Sequence, residues 1–199
     1  MRKIFVLEFM TLDGVIQAPG GSREDAAEGF KYGGWMGPLF EGEVGGREMD
    51  EQMKATAALL LGRKTYDIWV NFWPTHTESW PQVNEITKYV VSSTLKDPKW
   101  KNTEVIKDVE GLKALKNSDG PDLQVYGSAN LVQTLMEHDL IDEFWLKTFP
   151  ITLGSGKRLF EDGTKPYAFE LLESKVTPTG VIFAKYRRAG NVETHDINS

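Results

Sequence analysis

The feature that most constrains this chain is an alternation. Short apolar runs, each stopped by glycine or a turn, take turns with segments of helical pattern. Ile4 to Met10 reads as a buried strand ended by Asp13-Gly14, and Ala58-Leu59-Leu60-Leu61 as another, stopped by Gly62. Lys88 to Ser92, Thr103 to Ile106, Asp122 to Tyr126 and Ile141 to Phe149 follow as strands. Helical composition spans Glu48 to Ala58, Arg63 to Val70, Glu78 to Ile86 and Val109 to Lys116, and Gly127-Ser128 opens a further helix. Ala168 to Ser174 and Val181 to Arg188 are strands joined by a turn at Pro178-Thr179-Gly180. Strand–helix alternation with a two-stranded finish predicts an α/β domain whose mixed sheet is parallel in the middle and antiparallel at its C-terminal edge.

With 199 residues the chain suits one domain and a full hydrophobic core. Residues 1–189 are assigned to it and 190–199 to a flexible polar tail. There are no cysteines, which excludes disulfides, thiolate metal sites and a cysteine nucleophile. His76, His138 and His195 lie in no metal-ligand spacing, so no metal is expected. A net charge of −6 argues against nucleic acid or an anionic membrane as partner. The longest apolar run, Ala57 to Leu61, is far short of the ~20 residues of a membrane span. The N-terminus reaches Glu8 after four apolar residues and does not read as a signal peptide, so a cytoplasmic protein is expected.

Two strand-to-helix junctions carry similar chemistry. In one, Leu61 runs through Gly62 into Arg63-Lys64-Thr65; in the other, Tyr126 runs through Gly127-Ser128 into Ala129-Asn130-Leu131. The first N–H groups of a helix lack internal partners and carry partial positive charge, and glycine lets an anion approach them. Val90-Val91-Ser92-Ser93-Thr94 puts hydroxyls past a third strand end. In an open α/β sheet ligands settle outside the carboxyl ends of parallel strands, so these turns converge on one elongated polyanion such as a dinucleotide. Leu153-Gly154-Ser155-Gly156-Lys157-Arg158 fails as a P-loop, with Ile151 and Arg158 where glycine and a hydroxyl belong. Leu159 spoils it as a dinucleotide fingerprint.

Leu59 to Tyr66, Val90 to Ser93, Tyr126 to Leu131, Thr11-Leu12-Asp13-Gly14-Val15-Ile16, and Ile141-Asp142-Glu143 with Phe149 to Gly156 and Leu159-Phe160 stand in the order and spacing of dihydrofolate reductase-like proteins. The last stretch resembles most the reductase domain of the bifunctional riboflavin-biosynthesis deaminase–reductase. The resemblance covers about residues 2 to 188, and the zinc-binding residues of a deaminase domain are missing. It implies a three-layer dihydrofolate reductase-like fold and an NADPH-dependent oxidoreductase acting on a small heterocycle, like 5-amino-6-(5-phosphoribosylamino)uracil reductase. By position, Gly62, Arg63, Lys64 and Thr65 would hold the 2′-phosphate and pyrophosphate, and Ser92 and Ser93 would flank the adenine-ribose phosphate. Gly127, Ser128, Ala129, Asn130 and Leu131 would line the pyrophosphate and nicotinamide side, with Val15 and Ile16 near the nicotinamide.

Dihydrofolate reductases anchor the pteridine by a carboxylate shortly after a tryptophan. Here Trp35 marks that neighbourhood as a substrate-binding candidate, but Phe40 stands where the acid belongs; the nearest acids are Glu41 and Glu43. Asp13 is the remaining carboxylate near the expected nicotinamide and the catalytic candidate, with a turn-forming role as its alternative. Trp35, Trp69, Phe72, Trp73 and Trp80 are candidates to wall a planar pocket, or else core. A homodimer is expected, and the strand bearing Phe144 and Trp145 is either its surface or part of the intramolecular core. Other readings are reduction of a dihydrofolate, pteridine, carbonyl or nitro compound, and a non-catalytic NADPH-binding domain.

Overall fold

The computed structural model describes residues 1–40 and 43–197. Eight strands form one sheet: β1 (Ile4–Thr11), β2 (Ala58–Gly62), β3 (Thr87–Val91), β4 (Thr103–Ile106), β5 (Leu123–Tyr126), β6 (Glu143–Phe149), β7 (Ala168–Val176) and β8 (Ile182–Gly190). The order across the sheet is β4-β3-β2-β5-β1-β6-β8-β7. Pairings from β4 to β6 are parallel, and β6–β8 and β8–β7 are antiparallel. The mixed, mostly parallel sheet with an antiparallel C-terminal edge is the architecture that the alternation implies.

The helices are α1 (Gly37–Phe40), α2 (Glu43–Ala55), α3 (Arg63–Trp69), α4 (Val109–Asn117) and α5 (Ala129–Glu137). Parallel strands buried on both sides need helices on both faces, and the core divides accordingly. Ile4, Val6, Leu60 and Val125 pack with Leu112 and Leu115 of α4 and with Leu131, Val132 and Leu135 of α5. Leu7, Leu59, Leu61 and Val90 pack with Met49 of α2, Tyr66 of α3, Trp80 and Trp100. No helix among the described residues is long and apolar enough to cross a membrane.

Glu78 to Ile86 departs from its expected helix and forms a chain of single turns. Side chains compete with the helical pattern there. The Trp80 indole and the Gln82 amide both donate to the Met53 carbonyl, at 3.1 and 2.8 Å, and Asn84 accepts from the Trp100 indole at 2.7 Å. These bonds fix Trp80 in the core instead of letting its segment coil.

β6 is an interior strand between β1 and β8. Phe144 is buried in the chain's own core, and Trp145 stacks on Phe5 at 5.0 Å. A group of exposed apolar side chains lies on the outer hairpin: Phe169, Leu171, Leu172 and Val176 of β7, and Ile182 of β8.

Candidate functional site

The site begins where two strands part. β1 pairs with β5 only as far as Leu7 with Tyr126, whereas it stays paired with β6 to Thr11 with Phe149. Beyond Leu7 a gap opens between β1 and β5, at the carboxyl ends of the parallel strands, where ligands of α/β sheets sit. A cleft of about 370 Å³ fills it, floored by Leu7, Glu8, Phe9 and Tyr126, and running past Ile16, Trp69 and both helix starts.

The two glycine junctions meet at this cleft. Ser128 joins them: its Oγ accepts from the Gly62 amide at 2.9 Å and shares a proton with Thr65 Oγ1 at 2.6 Å. The approach depends on glycine, because a Cβ at position 62 would lie 2.6 Å from Ser128 Oγ and 2.8 Å from its Cβ. Gly127 and Ser128 are both left-handed, at φ 63° and 71°, a conformation rare for serine that turns its hydroxyl back onto α3. Because the hydroxyl is spent on this clip, no side chain caps α5, and none caps α3. The amides of 63–65 and 129–131 thus begin helices side by side without a side-chain acceptor, an arrangement suited to phosphate.

Gly62, Arg63, Lys64, Thr65, Gly127, Ser128, Ala129, Asn130, Leu131 and Ile16 all line the cleft. Arg63 donates from Nε to both oxygens of Asp67, each at 2.9 Å, and from Nη1 to Thr94 at 3.2 Å. Its guanidinium therefore lies beside the turn that follows β3. In that turn Ser92 is buried and caps its own loop, accepting from the Thr94 and Leu95 amides, while Ser93 is exposed. Neither serine lines the cleft itself; they border it through Arg63 and Thr94.

Three expected residues lie elsewhere. Asp13 accepts from Thr11 at 2.6 Å and from the Leu153 and Gly154 amides at 3.2 and 2.7 Å. Burial pushes its pKa up, but these hydrogen bonds outweigh it and hold the carboxyl below the usual aspartate value. It clips the loop after β1 to the loop after β6, so the turn-forming alternative describes it, and the catalytic expectation gives way. Val15 is fully buried, bridged to Arg158 and pressed against Gly156, whose Cβ would stand 2.7 Å from it. The Gly154–Gly156 turn is thus packing. Trp35 is buried, edge-on to Phe149 at 5.2 Å, with its indole donating to the Gln17 carbonyl. It shapes the loop and leaves the cleft wall to Trp69. Trp80 and Trp73 pack edge-to-face behind Trp69, and Phe72 stacks on His76. Phe40 packs against Phe9 and Phe149; Glu41 lies outside the described residues, and Glu43 starts α2.

Glu8 was not singled out from the sequence. It is 2% exposed, the first β1 residue beyond the β5 pairing, and its Oε1 has no hydrogen-bond partner among the described residues. Burial raises its pKa to about 8, against the pull of Lys147 and with a smaller push from Glu24. It is thus protonated at neutral pH. The available signal was one acid inside Ile-Phe-Val-Leu-Glu-Phe-Met, where strand packing favours only apolar residues. Glu24 and Asp25 stand at the same end. Glu24 accepts from the Gly20 and Gly21 amides, and burial raises its pKa despite those bonds; Asp25 pairs with Lys157. The acids Glu8, Glu24 and Asp25 therefore occupy one end of the cleft, and Arg63, Lys64 and the uncapped amides the other.

Residues 2–183 match the model of the RibD C-terminal domain. The chain belongs to that family. It is 28% identical over 199 residues to the uncharacterized protein YyaP of Bacillus subtilis (strain 168), covering 95% of this chain and 96% of the relative. It is 29% identical over 178 residues to YwjB of the same organism, also uncharacterized, covering 87% and 91%. Among solved structures it resembles a putative riboflavin biosynthesis protein from Shewanella sp. PV-4, with TM-score 0.71 and 22% identity over 94% of this chain and 98% of that one. It also resembles dihydrofolate reductase from Enterococcus faecalis, solved with NADP(H), with TM-score 0.59 and 15% identity over 94% and 96%. The chain thus has the dihydrofolate reductase-like three-layer fold and belongs to the RibD C-terminal domain family.

Proposed function

We propose that this RibD C-terminal domain is an NADPH-dependent reductase of a small planar heterocycle. The observation that carries the reading is the Ser128 clip, which sets two uncapped helix starts side by side at the mouth of a gap between β1 and β5. A dinucleotide fits the donor set: charged phosphates at the amides, and a flat ring toward Leu7, Phe9, Tyr126 and Trp69. When bound, NADPH supplies a hydride.

The chain's own residues bind and orient. Amides 63–65 and 129–131 hold pyrophosphate, and Arg63, placed by Asp67 and Thr94, binds the 2′-phosphate by a charge-assisted bond of about 1.5–3 kcal/mol. Trp69, Tyr126 and Phe9 exclude water from the ring face. The substrate is a small heterocycle of pyrimidine or pteridine type, consistent with a putative riboflavin biosynthesis protein and a dihydrofolate reductase among the structural relatives. We also infer a cytoplasmic homodimer, joined through the apolar face of edge strand β7.

The test is thermal stabilisation by NADPH against NADH, with consumption of NADPH in the presence of candidate pyrimidines and pterins. NADPH at 100 times its Kd adds about 2.7 kcal/mol, a shift of several degrees. Equal shifts with both dinucleotides, or none with either, would overturn the reading.

A further inference from the structure

We propose that Glu8 is the proton donor of this site, giving the proton that accompanies hydride transfer to an unsaturated heterocycle. The inference rests on the reductase reading and adds to it a group that the sequence motifs do not mark. Glu8 is the residue at which β1 loses β5, so its side chain enters the gap where a flat ring would lie. It is 2% exposed, and Oε1 is unsatisfied among the described residues, whereas the half-buried carboxylates Glu24 and Asp25 are hydrogen-bonded. An unpaired buried acid is costly unless its proton finds an acceptor, and a substrate nitrogen or oxygen supplies one. The other acids near the cleft are committed: Glu24 to the Gly20 and Gly21 amides, Asp25 to Lys157, Asp13 to the 153–154 turn outside the cleft.

The step balances as follows. A C–H bond of the reduced nicotinamide breaks and its hydride forms a new C–H bond on the substrate carbon. The C=N or C=O π bond breaks, and its electron pair passes to the heteroatom, which takes the proton from the Glu8 carboxyl. The substrate is reduced by two electrons and the nicotinamide oxidised by two; solvent later reprotonates Glu8.

The charges facing Glu8 decide how it titrates. Lys147 of β6 favours the carboxylate while it is charged, and burial lowers its own pKa to about 7, so it titrates within the same range; Glu24 of the loop after β1 opposes ionisation. Asp25 with Lys157, and Arg63 and Lys64 of α3, line the same cleft farther along. The oxidised nicotinamide ring is cationic and the reduced ring is neutral, so only the oxidised form favours ionised Glu8. Binding affinity therefore reads this group without any turnover.

The experiment measures the affinities of NADP⁺ and NADPH for the whole chain by calorimetry between pH 6 and 9. Taking their ratio cancels the titration of the 2′-phosphate, which both forms share. The expected result is about a tenfold rise in the ratio favouring NADP⁺ across that range, equivalent to a one-unit drop in the carboxyl's pKa on binding. Glu8→Gln should keep only the shallower slope that Lys147 contributes, Glu8→Gln combined with Lys147→Met should give a flat ratio, Glu8→Asp should recover the full slope, and Glu24→Gln should keep it. A flat ratio in the unaltered protein, or the same slope in Glu8→Gln, would overturn the assignment while leaving the reductase reading standing. If neither dinucleotide binds the unaltered protein, the reductase reading fails first and the proton donor with it.

Discussion

Replacing Glu8 by glutamine should make the fold more stable at neutral pH, and by an amount that depends on pH in one direction. The Glu8 carboxyl ionises near 4.5 in the unfolded chain and near 8 in the fold. Between those values the unfolded state holds fewer protons than the folded one. Stability is then fully present below about pH 4.5 and is lost as pH rises toward 8. Each pKa unit corresponds to about 1.4 kcal/mol, so the unaltered protein should lose about 2–3 kcal/mol from this group between pH 5 and 7. Glutamine keeps the size and polarity but never ionises. Urea unfolding of both proteins at pH 5 and pH 7 isolates the group, since other titrations largely cancel in the difference. Lys147, whose pKa burial lowers to about 7, acts with the opposite sign above that pH, which is why the window stops there. The reasoning is refuted if the stability difference between the two proteins stays constant from pH 5 to 7.

Further expectations follow from the clip and the edges of the site. Gly62→Ala should push Ser128 away from α3, costing about 1–3 kcal/mol in urea unfolding and at least tenfold in NADPH affinity. Ser128→Ala, which removes two hydrogen bonds and keeps the backbone, should cost about 1–2 kcal/mol in the same unfolding assay. Arg63→Ala should lower a ten- to hundredfold preference for NADPH over NADH to near parity by calorimetry, while Ser93→Ala should leave it unchanged because Ser93 does not reach the cleft. If the proposed dimer forms through β7, the unaltered protein should sediment as a dimer and Leu171→Arg as a monomer, with NADPH binding unaltered.

Much of the fold was legible because local and tertiary forces agree. The buried parallel strand Ala58–Leu61 is a continuous apolar run and Leu123–Tyr126 is interrupted only by Gln124, and Gly62 and Gly127 end them for a reason that backbone chemistry states in advance. The site was legible for the same reason at its anionic end. Elsewhere the deciding contacts are long-range. Asp13 reads as a free carboxylate until the 153–154 turn folds onto it, 140 residues away in sequence for the Leu153 contact. Trp35 reads as a pocket wall until the Gln17 carbonyl takes its N–H. Ser128 looks like a helix cap, yet its left-handed backbone sends the hydroxyl to a different helix. Glu8 was hidden because a strand pattern shows that a residue is buried but not which strand departs beside it.

Backbone ¹⁵N–¹H spectra recorded during an NADPH titration test the central claim most directly. The account predicts that the largest shifts fall on the amides of 63–65 and 129–131, with smaller ones along Leu7 to Phe9. Shifts confined to the Gly154–Gly156 turn or to the β7 face, with the two helix starts unmoved, would contradict it.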